Sequence, residues 1–207
     1  MTILALIAAG YLLGSIPLAW LVARLATGKD LRSLGSGNVG VMNVALSVTR
    51  WAGLIVFLGE AAKGLLAVLL ARRVSDSPLA IGITVLATVI GTRWIVWLGF
   101  AGGRGNTAGL AAIALLSWQT LVIGLGIWAL VRLVSRSSFW ATRISLLAWP
   151  FVFGWLTQSW AYLLFGLALS GIYLTTHRTA SDDHTIIKER WPSLWAFLTG
   201  PKRRRPS

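Results

Sequence analysis

Two short glycine-rich stretches carry the residues best suited to chemistry in this 207-residue chain. The first reads Gly35-Ser36-Gly37-Asn38-Val39-Gly40 and is followed by Asn43. Glycines let a turn point several backbone N–H groups inward, and Ser36, Asn38 and Asn43 add side-chain donors. Converging donors of this kind favour an anion, and we predict a phosphate. An ordinary re-entrant turn between helices is the alternative interpretation.

The first stretch also matches GxGxxG, the fingerprint of dinucleotide-binding folds. That interpretation is rejected because an apolar membrane helix precedes the glycines where the fold requires a strand. No strand–helix–strand pattern exists anywhere in the chain.

The second stretch, Gly102-Gly103-Arg104-Gly105, places one cation at the centre of a glycine turn. A guanidinium beside the start of a helix, here predicted at Thr107, is well placed to bind a phosphate through two parallel hydrogen bonds. Two glycine-rich anion loops on one membrane face indicate a phosphate site more strongly than either loop alone.

A pair of opposite charges, Glu60 and Lys63, lies three residues apart in an apolar segment and therefore on one helix face. Ionisable residues inside a membrane usually face the bundle interior and mark functional sites. A buried structural ion pair that fixes helix packing is the alternative, and Gly64 would permit close helix approach.

Further polar groups lie toward the C-terminus, at residues 135–138, at His177-Arg178 and at residues 202–205. His177 and Asp182 also match H-x-x-x-x-D, a motif of a large acyltransferase superfamily. That match is weak because the superfamily's companion motif is not visible. The basic tail Lys202-Arg203-Arg204-Arg205 is most simply a topology determinant or a contact with anionic lipids.

Composition predicts the class of protein. With 56% hydrophobic residues, 12 Trp and a mean hydropathy of +0.74, the chain is typical of a polytopic membrane protein. The net charge of +13 then indicates a positive cytoplasmic face and anionic headgroups, not nucleic acid. The absence of cysteine excludes disulfides, thiolate nucleophiles and Cys-ligated metals. The apolar N-terminus lacks a basic region and is interpreted as a retained first helix.

The apolar segments predict an all-α fold of about seven transmembrane helices with re-entrant glycine-rich cytoplasmic loops. Residues 107–134 would form one helix about 42 Å long, too long for one span, so we predict a hairpin that turns near Ser117-Trp118-Gln119. We expect one domain over residues 1–200 and a basic tail over 201–207. The spans other than the hairpin are Met1–Thr27, Trp51–Leu70, Pro78–Phe100, Ala141–Thr157 and Trp160–Thr176.

The distribution of basic residues supports this topology. With seven spans and the N-terminus outside, only Arg72 and Arg73 fall on the outer side, and the C-terminus lies in the cytoplasm. The basic residues that share the cytoplasmic side are Lys29, Arg32, Arg50, Arg93, Arg104, Arg132, Arg136, Arg143, Arg178, Lys188, Arg190 and the run from Lys202 to Arg205.

The order and spacing of these elements resemble those of the bacterial acyl-phosphate:glycerol-3-phosphate acyltransferases over nearly the whole chain. The matching residues are Leu13-Gly14-Ser15-Ile16-Pro17, Asp30-Leu31-Arg32 with the first glycine stretch and Asn43, Glu60-Ala61-Ala62-Lys63-Gly64, Phe100-Ala101-Gly102-Gly103-Arg104-Gly105, Ser138 and His177-Arg178.

The resemblance implies seven membrane helices with a cytoplasmic active site in the inner or plasma membrane. It implies transfer of a fatty acyl group from acyl phosphate to the sn-1 hydroxyl of glycerol 3-phosphate, giving lysophosphatidic acid and phosphate. No metal, cofactor or carrier protein is implied, and the acyl chain would lie in an apolar groove between helices. The partners expected are these two substrates and membrane lipids.

Several positions depart from the family pattern. An expected arginine falls at Leu46, and Arg50 could replace it only if the segment is helical, because the two would then share a face. The loop lysine of the family is Arg104, its aspartate is Glu60, and its histidine before the third loop falls at Thr92. Met42 and Ala180 replace a threonine and an asparagine.

These patterns predict the following site. The catalytic residues are expected to be Ser36, Arg104 and His177. The residues expected to bind substrate phosphate are Gly35, Gly37, Asn38, Gly40, Asn43, Arg50, Lys63, Gly102, Gly103, Gly105, Ser138 and Arg178. The alternatives left open are a divergent relative that uses another phosphorylated acceptor and a non-catalytic membrane protein that binds lipid phosphate. A channel or transporter is the third alternative.

Overall fold

The fold is all-helical in the part of the chain that the computed structural model describes, residues 2–176 and 194–199. These residues form two compact units, one of residues 2–17 and 58–176 and the other of residues 18–57 and 194–199. Two 3₁₀ turns lie at Leu31–Ser33 and Val96–Leu98. The helices are α1 (Thr2–Gly14), α2 (Leu18–Thr27), α3 (Val41–Ser47), α4 (Arg50–Val74), α5 (Pro78–Arg93), α6 (Asn106–Leu116), α7 (Trp118–Ser135), α8 (Ser138–Thr157), α9 (Trp160–Thr176) and α10 (Leu194–Thr199).

Four helical segments among the described residues are long and apolar enough to cross a bilayer. They are Thr2–Thr27, Arg50–Val74, Pro78–Leu98 and Trp118–Ser135, and two shorter apolar helices are Asn106–Leu116 and Trp160–Thr175. Large apolar side chains cover the outside of these helices; Leu133, for example, is 77% exposed. Hydrocarbon is the solvent that makes such exposure favourable. The predicted all-α membrane class is confirmed, and the count of seven spans stays a prediction.

Helix α1 packs closely against α5 through small residues. Gly10 and Gly14 lie four residues apart on α1, and a Cβ at either position would collide with the backbone of Thr84 or Thr88. Helices in hydrocarbon gain no hydrophobic energy by pairing, so close backbone approach through small residues supplies the van der Waals contact. The hydroxyls of Thr84 and Thr88 donate to carbonyls one turn earlier in α5, so no polar group is left unpaired at this interface.

An aromatic cluster forms the core between α5, α8 and α9. Phe153 is fully buried, stacks on Tyr162 with ring centroids 5.0 Å apart, and meets Phe165 edge-on at 6.2 Å. Trp149 joins the cluster one turn earlier on α8. Burial of these rings fixes α8 and α9 as a packed pair.

The hairpin predicted within residues 107–134 breaks at the predicted place. Helix α6 ends at Leu116, and α7 begins at Trp118. The Ser117 side chain caps α7 by accepting from the backbone N–H of Thr120 and from its hydroxyl, at 3.3 and 2.9 Å. Helix α9 has the predicted bounds, and α8 begins three residues earlier than predicted.

Three predicted segments differ from the structure. The first span is interrupted at residues 15–17, because Pro17 lacks an N–H and cannot continue α1. The loop predicted from Gly28 to Arg50 contains a 3₁₀ turn and helix α3. The third span was predicted to reach Phe100, but its α-helix, α5, ends at Arg93. The residues that follow form a 3₁₀ turn and then a pair of residues with left-handed backbone, Gly99 and Phe100.

The second unit has its own small core. Leu31 and Val44 are fully buried, and Val39 is 5% exposed. Leu46 of α3 packs against Phe197 of α10. These contacts hold the first glycine stretch between a 3₁₀ turn and a helix.

Candidate active site

Asn43 organises the first glycine loop from inside. Its side chain is fully buried. Its Nδ2 donates to the carbonyls of Leu34 and Asn38 at 3.0 and 2.9 Å, and its Oδ1 accepts from the backbone N–H of Ser36 at 3.2 Å. Oδ1 also accepts from Ser47 Oγ at 3.0 Å. Nδ2 also lies 3.4 Å from the carbonyl of Leu31, and these contacts together use the full capacity of a carboxamide. The Asn43 side chain is therefore bonded within the loop, and its contact with a phosphate stays a prediction.

Gly35 is required at its position for two reasons. Its φ of +55° lies in the left-handed region, which an L side chain rarely adopts. A Cβ there would also collide with Asn43 Oδ1 and Ser47 Oγ. The loop therefore closes on the Asn43 carboxamide only when residue 35 is glycine.

Part of this loop is exposed at the surface of its unit. Gly35 and Ser36 are exposed, and Asn38 and Gly40 are half-buried. Ser36 Oγ accepts from the backbone N–H of Asn38 at 3.4 Å. Ser36, Asn38 and the flanking glycines thus lie together, as predicted.

An ion pair precedes the loop. The Arg32 guanidinium contacts Asp30 through Nε at 3.1 Å and Nη2 at 2.7 Å, and Asp30 also accepts from the Arg32 N–H at 2.8 Å. The bonds from Arg32 hold the pKa of Asp30 well below its usual range. Asp30 thereby stays charged and caps the 3₁₀ turn that leads into the glycines.

Arg50 does not share a helix face with Leu46. Helix α3 ends at Ser47, and α4 begins at Arg50, so the condition for Arg50 to replace the missing arginine is not met. Leu46 is 6% exposed and packs on Phe197, and the Arg50 guanidinium lies 5.5 Å from the centroid of the same ring. The position of the family arginine is thus part of an apolar contact.

Three hydrogen bonds to backbone groups of the second glycine loop hold it in place. The N–H of Gly103 donates to the carbonyl of Thr92 at 3.0 Å, and Arg93 Nη1 donates to the carbonyl of Gly103 at 3.4 Å. The buried hydroxyl of Tyr173 donates to the carbonyl of Gly105 at 3.2 Å. Together these bonds tie residues 103–105 to the end of α5 and to α9. Gly102 fits closely against the carbonyls of residues 92 and 93.

The buried ammonium of Lys63 makes its hydrogen bonds to groups of the protein itself. Lys63 is 4% exposed, and its ammonium donates to Glu60 Oε1 at 2.7 Å, to the carbonyl of Ile16 at 2.7 Å and to the carbonyl of Gly14 at 3.2 Å. Three bonds use all three protons of an ammonium. The carbonyls belong to the end of α1, where helix termination leaves them without backbone partners and where a cation is favourable. The geometry is that of the structural alternative, a buried ion pair, and the phosphate contact of Lys63 stays a prediction.

A short hydrogen-bond chain links Lys63 to the second glycine loop. The carbonyl of Gly14 accepts from Lys63 and lies 3.3 Å from Thr92 Oγ1, which also donates to Thr88 at 3.0 Å. The carbonyl of Thr92 in turn accepts from Gly103, the residue before Arg104. Lys63 and Thr92 therefore position the loop that carries Arg104.

Arg104 lines a cavity of about 250 Å³ between α6, α7 and α8, called here the α6–α8 cavity. Arg104 and Asn106 contribute its charged and polar groups at the start of α6, and most other walls are apolar. Ser145 Oγ is buried in the wall and makes no hydrogen bond within residues 2–176 and 194–199. The lining residues are Arg104, Asn106, Leu110, Ile113, Thr120, Leu121, Gly124, Leu125, Trp128, Thr142, Ser145, Leu146, Trp149 and Tyr173.

Ser138 begins α8, and its Oγ accepts from Arg132 Nε at 3.1 Å. His177 and Arg178 lie outside the described residues. The structure thus groups Arg104 with Gly102, Gly103 and Gly105 in one unit, and Ser36 with Gly35, Gly37, Asn38 and Gly40 in the other.

Sequence reasoning missed Thr92 and Tyr173 as supports of the second loop. A signal for Thr92 existed, because Thr84, Thr88 and Thr92 recur every four residues and place hydroxyls on one face of an apolar helix. No local pattern distinguishes Tyr173, whose partner is 68 residues away.

Comparison with known proteins places this geometry in a family. The model of the glycerol-3-phosphate acyltransferase family matches residues 4–183. A glycerol-3-phosphate acyltransferase of Synechococcus sp. (strain JA-3-3Ab) is 40% identical over 84% of this chain and 86% of its own. One of Anaeromyxobacter sp. (strain Fw109-5) is 38% identical over 84% and 89%.

A solved structure has the same fold. The crystal structure of PlsY (YgiH), an integral membrane glycerol 3-phosphate acyltransferase, in its glycerol 3-phosphate form superposes with a TM-score of 0.73. It is 26% identical and covers all of this chain and 96% of its own. Its lysophosphatidic acid form gives a TM-score of 0.72 at 25% identity, over 99% and 95% of the two chains. The chain belongs to the glycerol-3-phosphate acyltransferase family.

Proposed function

We propose that this protein transfers a fatty acyl group from acyl phosphate to the sn-1 hydroxyl of glycerol 3-phosphate. The products are lysophosphatidic acid and inorganic phosphate. Family membership supports the acceptor, and the crystal forms of the solved relative contain glycerol 3-phosphate and lysophosphatidic acid. The observation that supports acyl phosphate as the donor is the α6–α8 cavity, in which the cation Arg104 lies beside apolar walls. An acyl phosphate has the same division into a phosphate and a hydrocarbon chain.

The chemistry asks little of a nucleophilic side chain. The sn-1 hydroxyl oxygen attacks the acyl carbonyl carbon, the carbon–oxygen bond to phosphate breaks, and an oxygen of the departing phosphate takes the hydroxyl proton. The mixed anhydride already carries a good leaving group. Positioning of the two substrates and stabilisation of the developing charge therefore supply most of the reduction in barrier.

Each loop has its own part in this proposal. Arg104, with the backbone of Gly102, Gly103 and Gly105, binds the phosphate of the acyl donor. Ser36 and Asn38, with the backbone of Gly35, Gly37 and Gly40, bind the phosphate of the other substrate. Asn43, Lys63 and Thr92 act by positioning these loops. His177 orients glycerol phosphate or assists proton transfer, and the cations Arg50 and Arg178 and the hydroxyl of Ser138 contribute to phosphate binding.

A different phosphorylated acceptor is the second candidate. Leu46 stands where the family has a phosphate-binding arginine, and it is buried against Phe197. A site that lacks this cation binds the acceptor phosphate with fewer charge-assisted bonds. Other alcohol phosphates are therefore tested beside glycerol 3-phosphate.

We further propose that the protein lies in the bacterial inner membrane as one catalytic domain over residues 1–200, with both glycine loops and the basic tail of residues 201–207 facing the cytoplasm. The distribution of basic residues supports this orientation. Glycerol 3-phosphate and the phosphate group of the acyl donor would then both lie on the cytoplasmic side of the membrane.

The test uses the purified full chain in detergent. Hexadecanoyl phosphate, hexadecanoyl-coenzyme A and hexadecanoyl acyl carrier protein are each offered with glycerol 3-phosphate, and lysophosphatidic acid and phosphate are measured together. We expect transfer from acyl phosphate alone, with equal amounts of the two products. Transfer from a thioester but not from acyl phosphate would contradict the assignment of acyl phosphate as the acyl donor. Faster acylation of another alcohol phosphate would overturn the acceptor.

A further inference from the structure

The α6–α8 cavity runs along helix α7 for about two turns. The residues of α7 that line it extend from Thr120 to Trp128. Eight residues of α-helix span about 12 Å. Because α6 and α7 are joined by the tight turn at Ser117, the residue Asn106 at the start of α6 lies toward the Trp128 end and Ile113 toward the Thr120 end. The cavity is thus an elongated trough with its cation at one end.

The polar groups of the trough wall are largely used within the protein. Trp128 Nε1 donates to Thr142 Oγ1 at 3.1 Å, and Thr120 Oγ1 donates to Ser117 Oγ at 2.9 Å. The remaining wall is made of aliphatic and aromatic side chains such as Leu121 and Leu146. A wall whose donors are already paired favours a hydrocarbon occupant. Arg104 favours an anionic head at the other end, so the occupant is one alkyl chain attached to a phosphate.

Gly124 lies midway along the part of α7 that lines the trough, and it presents no side chain to the trough. A Cβ at this position would meet only Trp149 Cβ, at 3.8 Å, which is an ordinary contact distance. The trough wall therefore accommodates a Cβ at position 124, and we expect the further atoms of a larger side chain to occupy the trough. Trp149, 8% exposed, forms the facing wall.

We propose that Gly124 and Trp149 determine the length of the acyl chain that this protein accepts. The inference rests on the proposed function, because it assigns the trough to the acyl group of the donor. With glycine at position 124, the chain passes Trp149 and reaches the end near Thr120. A bulky residue at 124 closes this passage and leaves room for short acyl groups alone.

The test compares Gly124→Leu with Gly126→Leu. Gly126 lies on the same helix, does not line the trough, and has no atom within 4 Å of a Cβ, so it is a matched control. The ratio of kcat/KM for hexadecanoyl phosphate to that for butanoyl phosphate, whose chain ends before position 124, is measured for each variant. We expect Gly124→Leu to lower this ratio about tenfold or more, and Gly126→Leu to leave it unchanged. An unchanged ratio in both variants, as for a trough that holds a bilayer lipid, would overturn the proposal.

A binding measurement separates this inference from the reaction. Hexadecyl phosphate and butyl phosphate are added to the purified proteins, and the shift in Tm is recorded, since ligands that bind the folded state raise Tm. We expect hexadecyl phosphate to stabilise the wild type and the Gly126 variant more than the Gly124 variant, even if no acyl transfer occurs. Equal shifts in all three proteins would contradict the inference while leaving acyl transfer itself intact.

Discussion

Lys63 and Asn43 show how a buried polar side chain in a glycine-rich membrane protein can satisfy backbone groups next to a candidate site. Each is buried, and each spends its hydrogen-bonding capacity on backbone groups that a break in helical structure leaves unpaired. The carbonyls at the end of α1 and those before the first glycine loop would otherwise be unsatisfied. The two residues thus stabilise irregular backbone at the end of α1 and in the first glycine loop.

Removal of the Lys63 ammonium is expected to destabilise the protein strongly. In Lys63→Met the carboxylate of Glu60 stays buried without its partner, which costs about 3–5 kcal/mol. Thermal unfolding in detergent measures the loss. The double variant Lys63→Met with Glu60→Leu removes both charges, and we expect it to recover part of the lost Tm. A double variant no more stable than Lys63→Met would show that the ion pair is not the cause.

Asn43→Ala is expected to loosen the first glycine loop. The carbonyls of Leu34 and Asn38 lose their donor, at a cost of about 1–3 kcal/mol. The KM for glycerol 3-phosphate is expected to rise as the loop loses its shape, whereas Asn38→Ala should raise the same KM without lowering Tm. Equal effects of both variants on Tm would contradict the division into a positioning and a contacting residue.

At the scale of the elements, the helices could largely be predicted, and the breaks could be predicted only in part. The break at Ser117 follows from an apolar segment too long for one span, and the ends of α9 follow from its polar flanks. The break at Pro17 was missed because apolar composition is continuous across it. Helix α3 was missed because it is seven residues long and follows a glycine-rich stretch.

The candidate site, too, could be predicted from the sequence only in part. The residue types of both loops could be identified from glycine and donor spacing, since those patterns are local. The internal bonds of Asn43 and Lys63 could not be predicted, because the choice between a backbone carbonyl and a ligand depends on which segments pack together. Lys63 meets carbonyls 47 and 49 residues away in the chain.

The packing of α1 on α5 gives a prediction at this scale. Gly14→Leu places a side chain against the Thr88 backbone, and overpacking of this kind costs about 1–3 kcal/mol. Ala8→Leu is the matched control, since Ala8 is exposed on the same helix. We expect a lowered Tm for Gly14→Leu and a Tm within error of wild type for Ala8→Leu. Equal Tm values for the two variants would show that α1 and α5 do not depend on close approach.

For the whole molecule, the decisive property is which end of each helix faces the cytoplasm. The chain has no cysteine, so one introduced cysteine is a unique label. Asp76→Cys and Gln119→Cys are expected to react with a membrane-impermeant maleimide in intact spheroplasts, and Lys29→Cys only after lysis. All three positions lie outside the helix interiors or at a helix start, and Lys29, Asp76 and Gln119 are exposed. If Gln119→Cys did not react with the maleimide in intact spheroplasts, α6 and α7 would not cross the membrane as a hairpin.

In the proposed reaction, acyl transfer depends on a cation beside the apolar trough, and Arg104, which lines the trough, supplies that cation. The most direct test measures kcat/KM for hexadecanoyl phosphate with the purified wild type and the Arg104→Gln, Arg104→Lys and Arg73→Gln variants. We predict a loss of about 100-fold or more for Arg104→Gln, partial activity for Arg104→Lys and wild-type activity for the exposed control Arg73→Gln. Near wild-type turnover by Arg104→Gln would contradict the assignment.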